Sequence, residues 1–375
     1  MTSKERVAAA MNLRSPDRIP LMCQMSIGHM LLQLKVSPAD FWFDAKVFAD
    51  GLIQLREQYG FDGILISLHG HNPHWRDDIR SRRMTDDGEE VLSKSGDIIH
   101  CLFNDLPRVI PRTPVPPPQF SSFSPDSLPP TLEYIPVSGG LHFALDPAHT
   151  FDVISDIVER VGKECSVHGE ITSPFDYFLD MFGYQEGLIA MVDDPDKSKR
   201  VLQHFATLVK KLAVDMCGTG IDAIKVSSPF AGSGFISPEH YALFVLPFER
   251  QIIEAVRSTG VHIYIHTCGA IGDRLDLMLQ SGTSGLECLD PPPLGNVQLE
   301  EAFDTLGGKA FIKGNVDSVN TLLRGSEDDV LSDARERLRI GKGQKGFILS
   351  TACSIAPAVS AKHVRLLKDA VDRWG

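Results

Sequence analysis

His266 and Cys268 in the run HIYIHTCG, and Cys353 at the end of FILSTAC, have the types and places to hold a soft metal ion. If both runs are strands, residues two apart share a face, so His266 and Cys268 point the same way. One imidazole and two thiolates suit zinc, which is tetrahedral, redox-silent and tolerant of soft donors. The H-x-C spacing alone is a weak signal. His266 by itself reads as a hydrogen-bonded imidazole and Cys353 by itself as a core residue. Their shared placement at strand ends is what favours zinc. Three strong ligands leave one position open, the pattern of a catalytic rather than a scaffolding ion. Glu287, in SGLECL, is the candidate fourth ligand, and the neighbouring Cys288 is expected to face the opposite way.

Other polar residues fall near predicted strand ends. Glu170 in VHGEITSP suits contact with substrate or proton handling, against a bland role as a salt-bridged carboxylate. Asn315 and Asp317 in KGNVDS suit a polar role at the site, against simple loop bracing. His69, His71 and His74 in SLHGHNPH have no standard metal spacing, so His69 and His71 are expected to bind substrate or water. Phe175 and Tyr177 would give the site hydrophobic walls, with Tyr177 touching the substrate. Asp62 and Asp222 begin strands, at the far end from the chemistry, and read as structural.

These residues need a scaffold that brings strand ends together. A repeated junction runs along the chain: an amphipathic stretch, a glycine, then a short β-rich run, as in YGFDGILIS, TGIDAIKVS, TGVHIYIH and SGTSGLECL. Glycine ends the helix in a left-handed conformation and the following run enters a strand. Eight strands are predicted, near 19–26, 64–68, 165–172, 222–228, 262–268, 285–290, 310–316 and 347–353. Eight parallel strands with intervening helices make a closed (β/α)8, or TIM, barrel, whose functional residues gather where strands end. The rival open sheet lacks a glycine-rich phosphate fingerprint here. The chain therefore reads as one α/β domain over 1–375, with an inserted segment near 75–150 between the second and third strands. That insert holds an expected hairpin at 89–103 and a proline-rich run at 111–130, read as a stiff surface loop or a lid. Pro247 is expected to kink or divide the helix that Ser237 and Pro238 begin.

Composition narrows the function. A formal net charge of −12 argues against nucleic-acid binding, which needs a basic footprint. No apolar run is long enough to span a bilayer and the N-terminus has no secretory pattern, so a cytoplasmic protein away from membranes is expected. Seven cysteines, odd in number and scattered, do not read as a disulfide framework.

Across nearly its whole length the chain resembles the uroporphyrinogen decarboxylase superfamily, and within it the zinc-dependent cobalamin methyltransferase branch. The segments that carry the likeness are RVAAAMNLRSPDRIPL, SPFDYFLDMFGY, GFISPEHYALFVLPF, HTCG, KGNVDSVNTLLRG and ILSTACSIAP. The branch's H-x-C…C signature falls on His266, Cys268 and Cys353. The decarboxylases carry Arg-Gln-Ala-Gly-Arg after the first strand to grip porphyrin carboxylates; here that place reads LMCQMSIGHM, without either arginine. The chain also lacks the Asp-x-His-x-x-Gly signature of corrinoid-carrying domains. The resemblance therefore implies a zinc enzyme that exchanges a methyl group with cobalamin, carried on a separate corrinoid protein or met as the free cofactor.

The expected direction is removal of a methyl group from a small methyl ether, thioether or amine to the corrinoid. The alternative is transfer from the methylcorrinoid to a thiol resembling coenzyme M, which an anionic zinc site would favour. Porphyrin decarboxylation, a zinc hydrolase and a purely structural zinc site are the remaining readings. Two thiolates weaken zinc as a Lewis acid for hydrolysis. Substrate identity and oligomeric state are beyond the sequence.

Overall fold

The computed structural model describes residues 1–375. Seven parallel strands form its main sheet: β1 (Gly63–Ile66), β2 (Ser166–Thr172), β3 (Ala223–Ser227), β4 (His262–Thr267), β5 (Gly285–Cys288), β6 (Phe311–Val316) and β7 (Phe347–Thr351). They are hydrogen-bonded in chain order, each joined to the next through helix, as parallel neighbours require. No helix is long and apolar enough to cross a membrane.

The expected first strand, 19–26, does not form a ladder. It touches the sheet through isolated parallel bridges, Leu21 with Leu349 and Met25 with Ile355, while Asp62 N donates to Leu21 O. Two donors are lost to pairing in this segment. Pro20 has no N–H, and the Leu21 N–H is taken by the Asp62 carboxylate at 2.8 Å. The segment thus runs between β7 and the start of β1, meeting both edges of the curled sheet.

Helix ends follow local chemistry. Thr2 and Glu5 make the capping box of the helix Ser3–Met11. Ser237 caps Pro238–Phe244, and a second helix, Leu246–Ser258, follows with Pro247 in its first turn, where a missing N–H breaks no helical bond. Gly60, at φ 68°, ends the helix Ala45–Tyr59 in the left-handed conformation that lets the chain turn into β1.

Inside the sheet, strand register builds layers. The lowest holds Met22, Ala223, Tyr264, Phe311 and Ile348, closed from beneath by Val7, Ala10 and Met11 of the first helix. Asp62 and Asp222 anchor this end, Asp62 to Arg6 and Arg18, Asp222 to Lys4. Two residues further along the strands the inward row turns polar: Lys225, His266, Glu287, Lys313 and Ser350 are all buried. The larger apolar core lies between the outer face of the sheet and the helices.

Between β1 and β2 the chain makes two antiparallel additions. Ile79–Met84, Gly88–Ser93, Ile98–Leu102 and Arg108–Ile110 form a four-stranded sheet, and Tyr134–Ser138 pairs with Leu141–Ala144 as a ribbon. The proline-rich run between them is largely exposed, held by Phe120, which packs on Phe178 and Phe182.

Candidate metal centre

β4 delivers His266 and, just past its end, Cys268; β7 leads into Cys353. His266 Nε2 lies 3.2 Å from Cys268 Sγ, which lies 3.5 Å from Cys353 Sγ. A fourth donor joins them. The ligand atoms of His266, Cys268, Cys288 and Cys353 all fall within 4.8 Å of one another. The sequence expectation placed Glu287 with the sulfurs and turned Cys288 away; the structure groups Cys288 with them. The reason is local backbone. Cys288 and Leu289 take φ of 83° and 56°, left-handed values that end the pleat and with it the strict alternation of faces. Such a conformation costs about 1–3 kcal/mol per non-glycine residue and persists where surrounding structure enforces it. Cys288 Sγ also donates to Asp290 Oδ2 at 3.2 Å, and that oxygen accepts from Gly269 N at 2.7 Å.

Glu287 instead stands behind the imidazole. His266 Nδ1 is 2.9 Å from Glu287 Oε2, which leaves Nε2 to face the sulfurs. A carboxylate on the far ring nitrogen sets the orientation and basicity of a metal-binding histidine. Glu287 is itself ion-paired with Lys313, and Lys225 lies 3.7 Å away. Burial opposes its ionisation, but Lys313 and Lys225 outweigh burial and hold its pKa below the ordinary carboxylate range. Burial and Lys225 likewise oppose protonation of His266, yet the Cys268 and Cys353 sulfurs raise its pKa well above the usual value. Hydrogen bonds from Cys268 and Cys288 hold the Cys353 thiol well below its ordinary pKa. One imidazole beside three sulfurs, with a thiolate already favoured, fits the donor set of a zinc ion.

The centre opens on a cavity of about 370 Å³ whose wall includes His266, Cys268, Cys353, Glu170 and Gln24. Most of its remaining wall is apolar, from Met25, Ile27, Met30, Leu52 and Ile64. Arg56 also reaches this wall, and its Nε donates to Phe61 O at 3.0 Å. The inserted segment contributes Leu106, from the turn between Ile98–Leu102 and Arg108–Ile110, and Val137 of the ribbon, while the proline-rich run stays off the cavity. A side chamber of about 110 Å³ adjoins, sharing Glu170 and Ser227.

The remaining expected site residues divide. Glu170 reaches both spaces and pairs with Lys225 at 3.2 Å. Asn315 is buried beside β5, its Nδ2 donating to Leu289 O at 2.9 Å, and lines neither space. Asp317 accepts from Val319 N, Asn320 N and Asn320 Nδ2, which is the loop-bracing alternative. Tyr177 donates its hydroxyl to Tyr134 O at 2.8 Å and stacks on Phe205, away from the cavity. His69 bonds Thr150 O through Nδ1, and His71 sits between Phe48 and Phe143; neither lines the cavity. They stay back because β1 ends at Ile66, and the following turn carries them under the insert.

Lys225 and Lys313 were missed from the sequence. Their signal was present: a lysine on the inward face of an apolar strand, AIKVS or FIKGN, is a buried charge that demands a carboxylate partner. In strand register Lys225 neighbours Glu170 and Lys313 neighbours Glu287.

Comparison with known proteins agrees with this architecture. Methylcobamide:CoM methyltransferase MtbA of Methanosarcina mazei is 23% identical over 385 residues, covering 100% of this chain and 98% of that one. The MtbA of Methanosarcina acetivorans is 25% identical over 232 residues, 60% of this chain but only 62% of the relative's length. A solved methyltransferase from Methanosarcina mazei superposes with a TM-score of 0.74 at 18% identity, covering 100% of this chain and 99% of that one, which speaks for the shared fold. The uroporphyrinogen decarboxylase (URO-D) profile matches residues 143–374, the stretch that carries β2 to β7 and all four clustered donors. The chain belongs to the uroporphyrinogen decarboxylase family.

Proposed function

We propose that the protein is a cytoplasmic, zinc-dependent methyltransferase, folded as a single (β/α)8 barrel over 1–375, that moves a methyl group between a small substrate and a corrinoid on a separate partner protein. The observation that carries this reading is the His266–Cys268–Cys288–Cys353 cluster opening on an organic-sized cavity. The matching relatives, named methylcobamide:CoM methyltransferases, support the corrinoid. Bound zinc would supply a Lewis acid for the heteroatom that loses or gains the methyl group; that heteroatom would enter as a fifth ligand or displace one of the four donors, and the corrinoid would carry the methyl group.

The protein's own residues do the rest. Glu287 orients His266, and Lys225 and Lys313 balance the carboxylates beneath it. The apolar wall excludes water from the exchange, which strengthens every polar contact inside. Glu170, which lines both the cavity and the side chamber, would be the carboxylate that meets the substrate. Porphyrin decarboxylation has no support in this cavity, where Arg56 stands alone against the several carboxylates of such a substrate.

The direction favoured by the cavity is demethylation of a methyl ether, thioether or amine. Its largely apolar wall suits an organic substrate, with Arg56 as its single cation. The second reading, transfer from methylcorrinoid to a thiol, draws on the relatives' names and on Cys288, since zinc held by three thiolates and a neutral imidazole would be anionic. Stopped-flow absorbance with cob(I)alamin and a panel of methylated compounds separates them. Methylcobalamin formation that requires one panel compound and zinc is expected, reduced at least about 100-fold in Cys353→Ala. If no compound reacts while an added thiol demethylates methylcobalamin, the second reading replaces the first.

A further inference from the structure

The side chamber has a composition unlike the main cavity. Its polar wall is Ser67, Ser138, Glu170, Thr172, Asp176, Asp180, Tyr184 and Ser227, with no lysine, arginine or histidine. Glu170 is matched by Lys225, and Asp180 accepts from Tyr134 Oη and His142 Nε2 at 3.1 and 2.8 Å. Asp176 has no cationic partner. It sits at the start of the helix Pro174–Phe182, 5% exposed, with one oxygen bonded to Ser173 Oγ. Its other oxygen, Oδ1, is buried without any hydrogen-bond partner. A buried carboxyl oxygen left this way costs about 1–3 kcal/mol unless something fills the need.

The chamber's apolar side carries two rings, Tyr184 and Phe230, with centroids 4.5 Å apart and planes inclined at 53°. Carboxylates facing aromatic rings form the usual environment for a quaternary ammonium, which donates no hydrogen bond and is held by charge and by π faces, so Asp176 Oδ1 would meet it as a counter-ion. Burial, with Glu249 adding to it, pushes the Asp176 pKa up to about 8, so the carboxyl holds its proton near neutrality and would release it on becoming the counter-ion of a bound cation.

We propose that this chamber binds a quaternary ammonium group of the substrate, with Asp176 as its anchor and Tyr184 and Phe230 as its wall. The ammonium end would lie in the side chamber, and the rest of the molecule would extend past Glu170 and Ser227 into the main cavity. The inference deepens the methyl-transfer reading and rests on it for the ligand's role as substrate. The binding itself stands apart from catalysis.

Titration calorimetry of the zinc-loaded full chain with choline and with its uncharged isostere, 3,3-dimethyl-1-butanol, tests the proposal. Choline is expected to bind at least about ten-fold more tightly than the isostere, and Asp176→Asn to remove that preference. Ser138→Lys, a change at an exposed residue of the chamber rim, keeps the test sound if Asp176→Asn fails to fold; it too should abolish choline binding. Equal affinity for the two probes, or choline binding undisturbed by Ser138→Lys, overturns the proposal. A clear choline preference in a protein that transfers no methyl group would support the chamber and overturn only the functional reading.

Discussion

At the scale of single residues, the candidate metal centre turns on which of two neighbours, Glu287 or Cys288, meets the ion. Glu287 is committed to His266 Nδ1 and Lys313, whereas Cys288 stands among the sulfurs. X-ray absorption at the zinc edge should therefore count three sulfurs and one nitrogen in the wild-type protein, and two sulfurs in Cys288→Ser. A wild-type count of two would remove Cys288 from the set. Glu287→Gln keeps the shape but loses the charge that fixes the imidazole. Zinc affinity, read by competition with a chelator, is expected to fall about 10–100-fold without loss of fold, as for other partners of metal-binding histidines. An unchanged affinity would reduce Glu287 to a counter-ion for the lysines.

At the scale of elements, the inward layers depend on close fits between adjacent strands. Gly285 opens β5 beside Phe311 of β6, and a Cβ at 285 would meet the Phe311 ring at 2.5 Å. Phe311 is wholly buried in the layer beneath the charged row, so the ring has nowhere to retreat. Gly285→Ala is expected to destabilise the fold by about 1–3 kcal/mol, the range for overpacking a filled interior. Denaturant unfolding measures this, and a change under about 0.5 kcal/mol would mean that the layer yields. The inserted ribbon is the other element with consequences for the site. It places Val137 on the cavity wall and Tyr134 and His142 against Asp180, so it shapes the substrate space although it lies outside the parallel sheet.

At the scale of the whole molecule, buried histidines away from the metal centre set an acid limit. Burial lowers His29 and His69 to about 4, and His71 and His168 to about 3, with His69 adding to the shift of His71 and Lys313 to that of His168. The unfolded chain titrates near 6.5, so below that pH it binds more protons than the folded one. Stability from these groups is complete above pH 6.5 and is lost as pH falls towards 4 and 3, at roughly 1.4 kcal/mol per pKa unit for each histidine. Thermal unfolding from pH 8 to 4 should show this decline. His71→Phe tests one contributor: both ring nitrogens of His71 lack partners, and Phe48 and Phe143 wall its niche. The variant should be no less stable at pH 7.5 and should lose less on acidification. A parallel decline in both proteins would assign the acid sensitivity elsewhere.

Much of this was readable from residue order. Glycine after amphipathic helix, then a short apolar run, repeats because helix termination and strand entry are local events, and it located seven parallel strands within a few residues. His266, Cys268 and Cys353 were readable because side-chain alternation along a strand is also local. The first segment escaped because its pairing depends on Asp62, 41 residues away, competing for the Leu21 N–H. Cys288 escaped because its left-handed backbone is imposed by the loop it enters and contradicts the alternation its neighbours obey. His69, His71 and Tyr177 carried suitable chemistry but not position, and only packing under the insert shows that they face away from the cavity. Which groups share a cavity is a property of distances between strands, and the chain order of a sequence does not contain those distances.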